Sequence, residues 1–132
     1  NVVMLWWRPP ELLLGVQEYG VAVDLWSCGV VLAEMWRLLP TFPGQTQIET
    51  LYFIFQRLGT PSAADWPDLH RMPHWNGDAM TPQWQDTLQA WLTDIDRTSV
   101  GGAALVTVPP DHVALIRSLL RYDPRQRVSA VR

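Results

Sequence analysis

The chain has 132 residues, of which 48% are hydrophobic, and a formal net charge of −3. That is enough for one compact domain, it is unlike a disordered composition, and it lacks the basic footprint that nucleic acid or an anionic membrane surface would need. A single cysteine, Cys28, excludes an intrachain disulfide and argues against a cysteine-based zinc site.

The sequence opens with Asn1 and an apolar stretch with no basic region before it, so no targeting segment is read there. Both ends are expected to be cut: the chain starts in mid-pattern and stops just after what reads as a helix start at Ser129. Arg8-Pro9-Pro10 forms a rigid loop, because two successive prolines deny backbone donors and hold the chain extended. Glu11 to Gly15 reads as a short helical turn. Gly20 then precedes Val21–Leu39, apolar over more than one face, which predicts a buried central helix with Asp24 near its positive end. Within it, Leu25 to Leu39 carries Glu34 and Arg37, and is too short and too interrupted to span a bilayer. Cys28 on this helix reads as a small core residue.

Pro40, Pro43 and Gly44 break the chain. Thr46 to Leu58 follows, with Ile48, Leu51, Tyr52, Phe55 and Leu58 at helical spacing, ended by Gly59-Thr60-Pro61. Residues 61–80 read as an ordered irregular loop. Thr81-Pro82 looks like a cap and first helical residue, and Trp84, Leu88, Trp91, Leu92 and Ile95 predict one amphipathic stripe after it. Ser99 to Ala104 is a Gly-containing loop. Pro109-Pro110 precedes a helix over Asp111 to Leu120, and Tyr122-Asp123-Pro124 turns the chain. No convincing strand pair appears, so the fold class is mainly α. The eight tryptophans show no fixed period and therefore no repeat; they read as core and loop anchors.

Several strings, in order, resemble the second half of a protein kinase domain. Trp6-Trp7-Arg8-Pro9-Pro10-Glu11 is similar to W-Y-R-A-P-E, Asp24-Leu25-Trp26-Ser27-Cys28-Gly29 to D-x-W-S-x-G, and Asp123-Pro124-Arg125-Gln126-Arg127 to D-P-x-x-R. Phe42-Pro43-Gly44 and Leu58-Gly59-Thr60-Pro61 resemble the cyclin-dependent kinases in particular. The resemblance implies a truncated portion of the large, C-terminal helical lobe. Residues 1–132 would run from the end of the activation segment to the start of the last helix, with 61–108 as a group-specific insert.

By the same resemblance, Glu11 pairs with Arg127, and Asp24 supports the catalytic loop through backbone N–H bonds; these are structural residues. Val2, Val3, Leu5 and Arg8 match the substrate pocket beside the phosphoacceptor of proline-directed kinases. Met4 stands where the family usually carries Thr, and a thioether cannot donate that hydroxyl's hydrogen bond. Pro9 and Trp7 replace the usual Ala and Tyr.

Phosphoryl transfer needs a glycine-rich loop, a lysine, metal-binding Asp and Asn, and an Asp that orients the hydroxyl. The sequence has no G-x-G-x-x-G, H-R-D or D-F-G, and its ten basic residues are all arginines. No catalytic, cofactor-binding or metal-binding residue is therefore assigned, and the chain alone is expected to be inactive. His70 and His74 are separated by Pro73 and lack a third ligand. For a full-length parent the resemblance implies a serine/threonine kinase using ATP and Mg2+. It also implies protein substrates, a cyclin-type activator or adaptor, and a cytoplasmic or nuclear location, with no nucleic acid and no membrane. The alternative reading is a non-catalytic, pseudokinase-like module binding partners through Thr46–Leu58 and 61–108.

Overall fold

In the computed structural model, residues 5–17, 20–77, 81–93 and 108–128 are described. Among them are five α-helices: α1 (Pro10–Leu13), α2 (Val21–Arg37), α3 (Gln47–Leu58), α4 (Leu88–Thr93) and α5 (Pro110–Leu119). Two single 3₁₀ turns, Leu69–Arg71 and Pro124–Gln126, complete the set. The described residues form no strand, only an isolated antiparallel bridge between Leu58 and Asp86.

Prolines set the helix starts. Pro10 and Pro110 occupy first-turn positions of α1 and α5, where a missing N–H costs nothing. At α3, the Thr46 side chain accepts from Glu49 N at 3.1 Å, while Glu49 Oε2 accepts from Gln45 N at 2.6 Å. Gly44 just before it is required for packing, since a Cβ there would lie 2.2 Å from Thr50 N. α2 ends at Leu38, which takes a left-handed φ of 61°, two residues before Pro40.

The core runs along one face of α2. Trp26, Gly29, Val30 and Ala33 are buried there, and α5 packs against this face where Gly29 allows close approach. A Cβ on Gly29 would lie 2.9 Å from both Leu119 and Leu120. Trp26 stacks on Phe42, and Tyr122 lies between Phe55 and Trp66. The Tyr122 hydroxyl donates to Gly59 O and so ties the end of α3 to the segment after α5. Burial, with the nearby charges of Asp65 and Asp86, pushes this hydroxyl well above its usual pKa, so it stays a neutral donor.

Three sequence expectations need correction. The first concerns α2, which is not buried all round. Val21, Asp24, Cys28, Val31, Met35 and Leu38 recur at helical spacing along its exposed side, and Met35 and Leu38 are 68% and 67% exposed. The second follows from it: Cys28 is not a core residue but an exposed thiol.

The third correction is that no helix starts at Pro82. Residues 82–87 spend their backbone on the end of α3: Thr60 N donates to Trp84 O, Trp84 N to Thr60 Oγ1, and Thr87 N to Arg57 O. Trp84 packs on Tyr52, 5.4 Å between ring centroids, and the helix begins only at Leu88, whose N–H is held by Asp86 Oδ1. Thr81 caps nothing; its hydroxyl donates to Gly77 O. Ile95, the Ser99 to Ala104 loop and the Ser129 helix start lie outside the described residues.

Candidate functional site

The best-built polar site joins the two ends of the described chain. Arg127 Nη1 and Nη2 donate to Glu11 Oε1 and Oε2 at 2.6 and 2.7 Å, a bidentate pair across 116 residues. Nη1 also donates to Ala22 O at 3.0 Å and Nε to Arg121 O at 2.9 Å. The guanidinium lies 5.1 Å from the Trp26 ring centroid. The Arg127 side chain is fully buried and that of Glu11 nearly so. A planar fork with carboxylate, carbonyls and an aromatic face is what makes such burial tolerable; a lysine could not fill it.

Local structure sets each partner. Pro9 and Pro10 open α1 and aim Glu11 inwards. Opposite, Asp123 caps the Pro124–Gln126 turn by accepting from Arg125 N at 3.0 Å, and Val128 N donates to Ser118 O at 3.1 Å. Burial raises the Asp123 pKa, but the hydrogen bonds and charge of Arg125, with the charge of Arg127, outweigh it and leave it lowered.

Asp24 sits in the first turn of α2, exposed, on the apolar stripe described above. It is not gathered with Glu11 and Arg127, although Ala22, two residues earlier, contributes a carbonyl to that pair. Of the expected substrate pocket, Leu5 packs against the core, and Arg8 lines an open cleft with Leu12, Val16, Gln17, Gln47 and His74. Val2 and Val3 lie outside the described residues, as does Met4.

Sequence reasoning missed Glu34. Its carboxylate accepts from Trp7 Nε1 and from Thr41 N, both at 3.3 Å, and so links the N-terminal loop, α2 and the turn after it. An acid inside an apolar helical run was the available signal. The Ser27 hydroxyl donates to Trp7 O at 3.0 Å and ties the same loop to α2. The Asp86–Arg117 ion pair, at 2.7 Å, was also unforeseen, because its partners are remote in sequence.

The sequence has no lysine to meet phosphates, and among the described residues no group of three or more His, Cys, Asp or Glu could hold a metal ion. No helix among them is long and apolar enough to cross a membrane.

Comparison with known proteins adds the rest. The protein kinase domain model matches residues 1–132. The chain is 39% identical over 130 residues to the cell division control protein 2 homolog 1 of Trypanosoma brucei brucei, covering 98% of this chain and 42% of that protein. It is 36% identical over 98% of its length to cyclin-dependent kinase 2 of Caenorhabditis elegans, covering 32% of that protein. It is 37% identical, over the same share of this chain, to cyclin-dependent kinase 1 of Encephalitozoon cuniculi, covering 39% of that protein. The chain thus spans well under half the length of these relatives.

Proposed function

The chain belongs to the protein kinase family and is similar to cyclin-dependent kinases, and from that premise we propose that it is a scaffold portion of the helical C-terminal lobe of a serine/threonine kinase. The parent would transfer the γ-phosphoryl group of ATP, with Mg2+, to serine or threonine of protein substrates. It would act under a cyclin-type activator, in the cytoplasm or nucleus. Residues 1–132 would supply the end of the activation segment and the helices behind it, with 61–108 as the group-specific insert.

One observation carries this reading: the apolar stripe Val21, Cys28, Val31, Met35 and Leu38, with Asp24 set in it, is exposed on a helix whose other face is core. Such a stripe asks for a cover. A kinase catalytic loop and the helix before it would bury the apolar residues and give Asp24 backbone N–H donors. Glu11–Arg127 would then fix the activation-segment end against the last helices. Leu5 and Arg8, with Val2 and Val3, would border the substrate. All of these residues position the chemistry; none performs it.

A chimera tests this, with residues 1–132 replacing the matching stretch of a cyclin-dependent kinase relative. ATP-dependent phosphorylation of a serine or threonine peptide supports the proposal, and Asp24→Asn should then cut kcat far more than KM. A folded chimera that transfers nothing even with Met4→Thr contradicts it. Transfer only after Met4→Thr favours the second reading, a non-catalytic interaction module. That reading is supported by a cleft of about 450 Å³ between α1, α3 and the 73–76 segment, lined by Leu14, Ile48, Leu51, Tyr52, Phe55 and Trp75.

A further inference from the structure

Arg37 closes α2 and Arg57 lies in the last turn of α3. Both guanidinium groups stand against one ring on α4: their central carbons are 5.3 and 5.0 Å from the Trp91 centroid. The Nε of each is buried and has no hydrogen-bond partner among the described residues. Stacking on an indole offsets part of the cost of drying a guanidinium, but it offers no acceptor oxygen. Burial, and then the charge of Arg37, lower the pKa of Arg57, so the two cations oppose each other.

Two described acids that lie near Arg37 and Trp91 in sequence are engaged elsewhere. Glu34, one turn before Arg37, holds Trp7 Nε1 and Thr41 N. Asp86, just before α4, is taken by both terminal nitrogens of Arg117. Among the described residues no carboxylate forms an ion pair with Arg37 or Arg57.

We propose that Arg37, Trp91 and Arg57 form an oxyanion site that takes a phosphate dianion. Two forks present more donors than the two oxygens of one carboxylate can use. A phosphoryl group brings three oxygens and a charge of about −1.5 to −2 at neutral pH, matching two guanidiniums. The same chemistry reaches the site as free inorganic phosphate or as a phosphoserine or phosphothreonine of a protein. The inference stands on these three residues and not on the kinase reading.

The test follows the arginine Nε–H signals of the 132-residue chain by nuclear magnetic resonance during a titration with inorganic phosphate at constant ionic strength. The signals of Arg37 and Arg57 should shift and saturate, while that of Arg127, whose Nε–H already donates to Arg121 O, stays in place. Arg57→Lys keeps the charge but loses the fork, and should weaken binding about tenfold or more; Arg57→Gln should abolish it. If Arg57→Gln does not fold, the lysine variant alone decides. A phosphoserine peptide that competes better than inorganic phosphate assigns the protein-borne source; equal competition assigns the free ion. The proposal is overturned by a non-saturating response, by an equal response to chloride, or by unchanged affinity in Arg57→Lys. It also fails if phosphate binds only after Asp94→Asn with Asp96→Asn, since the chain's own acids would then be filling the pair.

Discussion

Arg127 and Arg57 stand over tryptophan rings at nearly the same distance, 5.1 Å from Trp26 and 5.0 Å from Trp91, yet they are opposite kinds of site. Around Arg127 each nitrogen donates to oxygen: two carboxylate oxygens of Glu11 and the carbonyls of Ala22 and Arg121. Around Arg57 there is a second cation and an Nε–H that is unmet among the described residues. The aromatic face is common to both, so it does not decide the role; the carboxylate does. With it the arginine is a structural tie. Where no described carboxylate pairs with them, the two arginines form the proposed receptor, which carries an electrostatic cost until an anion arrives.

The contrast breaks most visibly at Arg127. Arg127→Met strands a buried Glu11 carboxylate and should cost about 3–5 kcal/mol, read as a lost or much earlier urea transition. Adding Glu11→Leu should recover most of that loss, because two apolar groups leave nothing unpaired. If the double variant is as unstable as the single, the tie is not electrostatic.

A smaller break comes from a distance. Gly29→Ala pushes against Leu119 and Leu120 and should cost about 1–3 kcal/mol by separating α2 from α5. Hydrogen exchange should then quicken at Val128, whose N–H bond to Ser118 follows α5. An unchanged transition would mean the helices shift freely.

At the other arginine site the same measurement should show little. Arg57→Gln removes a cation–π contact of about 0.5–1 kcal/mol but also relieves repulsion from Arg37, so the urea midpoint should barely move. A loss near that of Arg127→Met would erase the distinction between the two sites.

The smallest effect is on acid stability. Asp123 has a lowered pKa in the folded chain, so its contribution is fully present above the unfolded carboxylate pKa. It is lost as pH falls through the lower, folded value. Asp123→Asn should flatten the stability profile over that acidic window and leave it parallel to the parent above it. A difference confined to neutral pH would contradict the assignment.

Much of the tie is legible in the sequence. The strings ending in Glu11 and Arg127 carried the pairing by resemblance, and helical spacing found α3 and α5 within a residue or two. Pro and Gly fixed those ends, so local chemistry and fold agreed. Misreadings occurred where a distant segment decided. Thr81-Pro82 has the chemistry of a helix start, but pairing with the end of α3 claims the backbone through Asp86 and Thr87. Apolar residues all round α2 predict burial, yet the stripe from Val21 to Leu38 stays exposed. The Arg37–Trp91–Arg57 cluster joins three helices, and no local pattern announces a meeting of that kind.

The scaffold account turns on whether the exposed stripe of α2 is an interface, and Cys28, the only thiol of the chain, sits on it. The decisive measurement is the rate of Cys28 alkylation in the chain alone and in the kinase chimera, its remaining portion freed of cysteine. The account predicts rapid labelling in the chain and strong protection in the chimera. Equal rapid labelling in a folded chimera would contradict it.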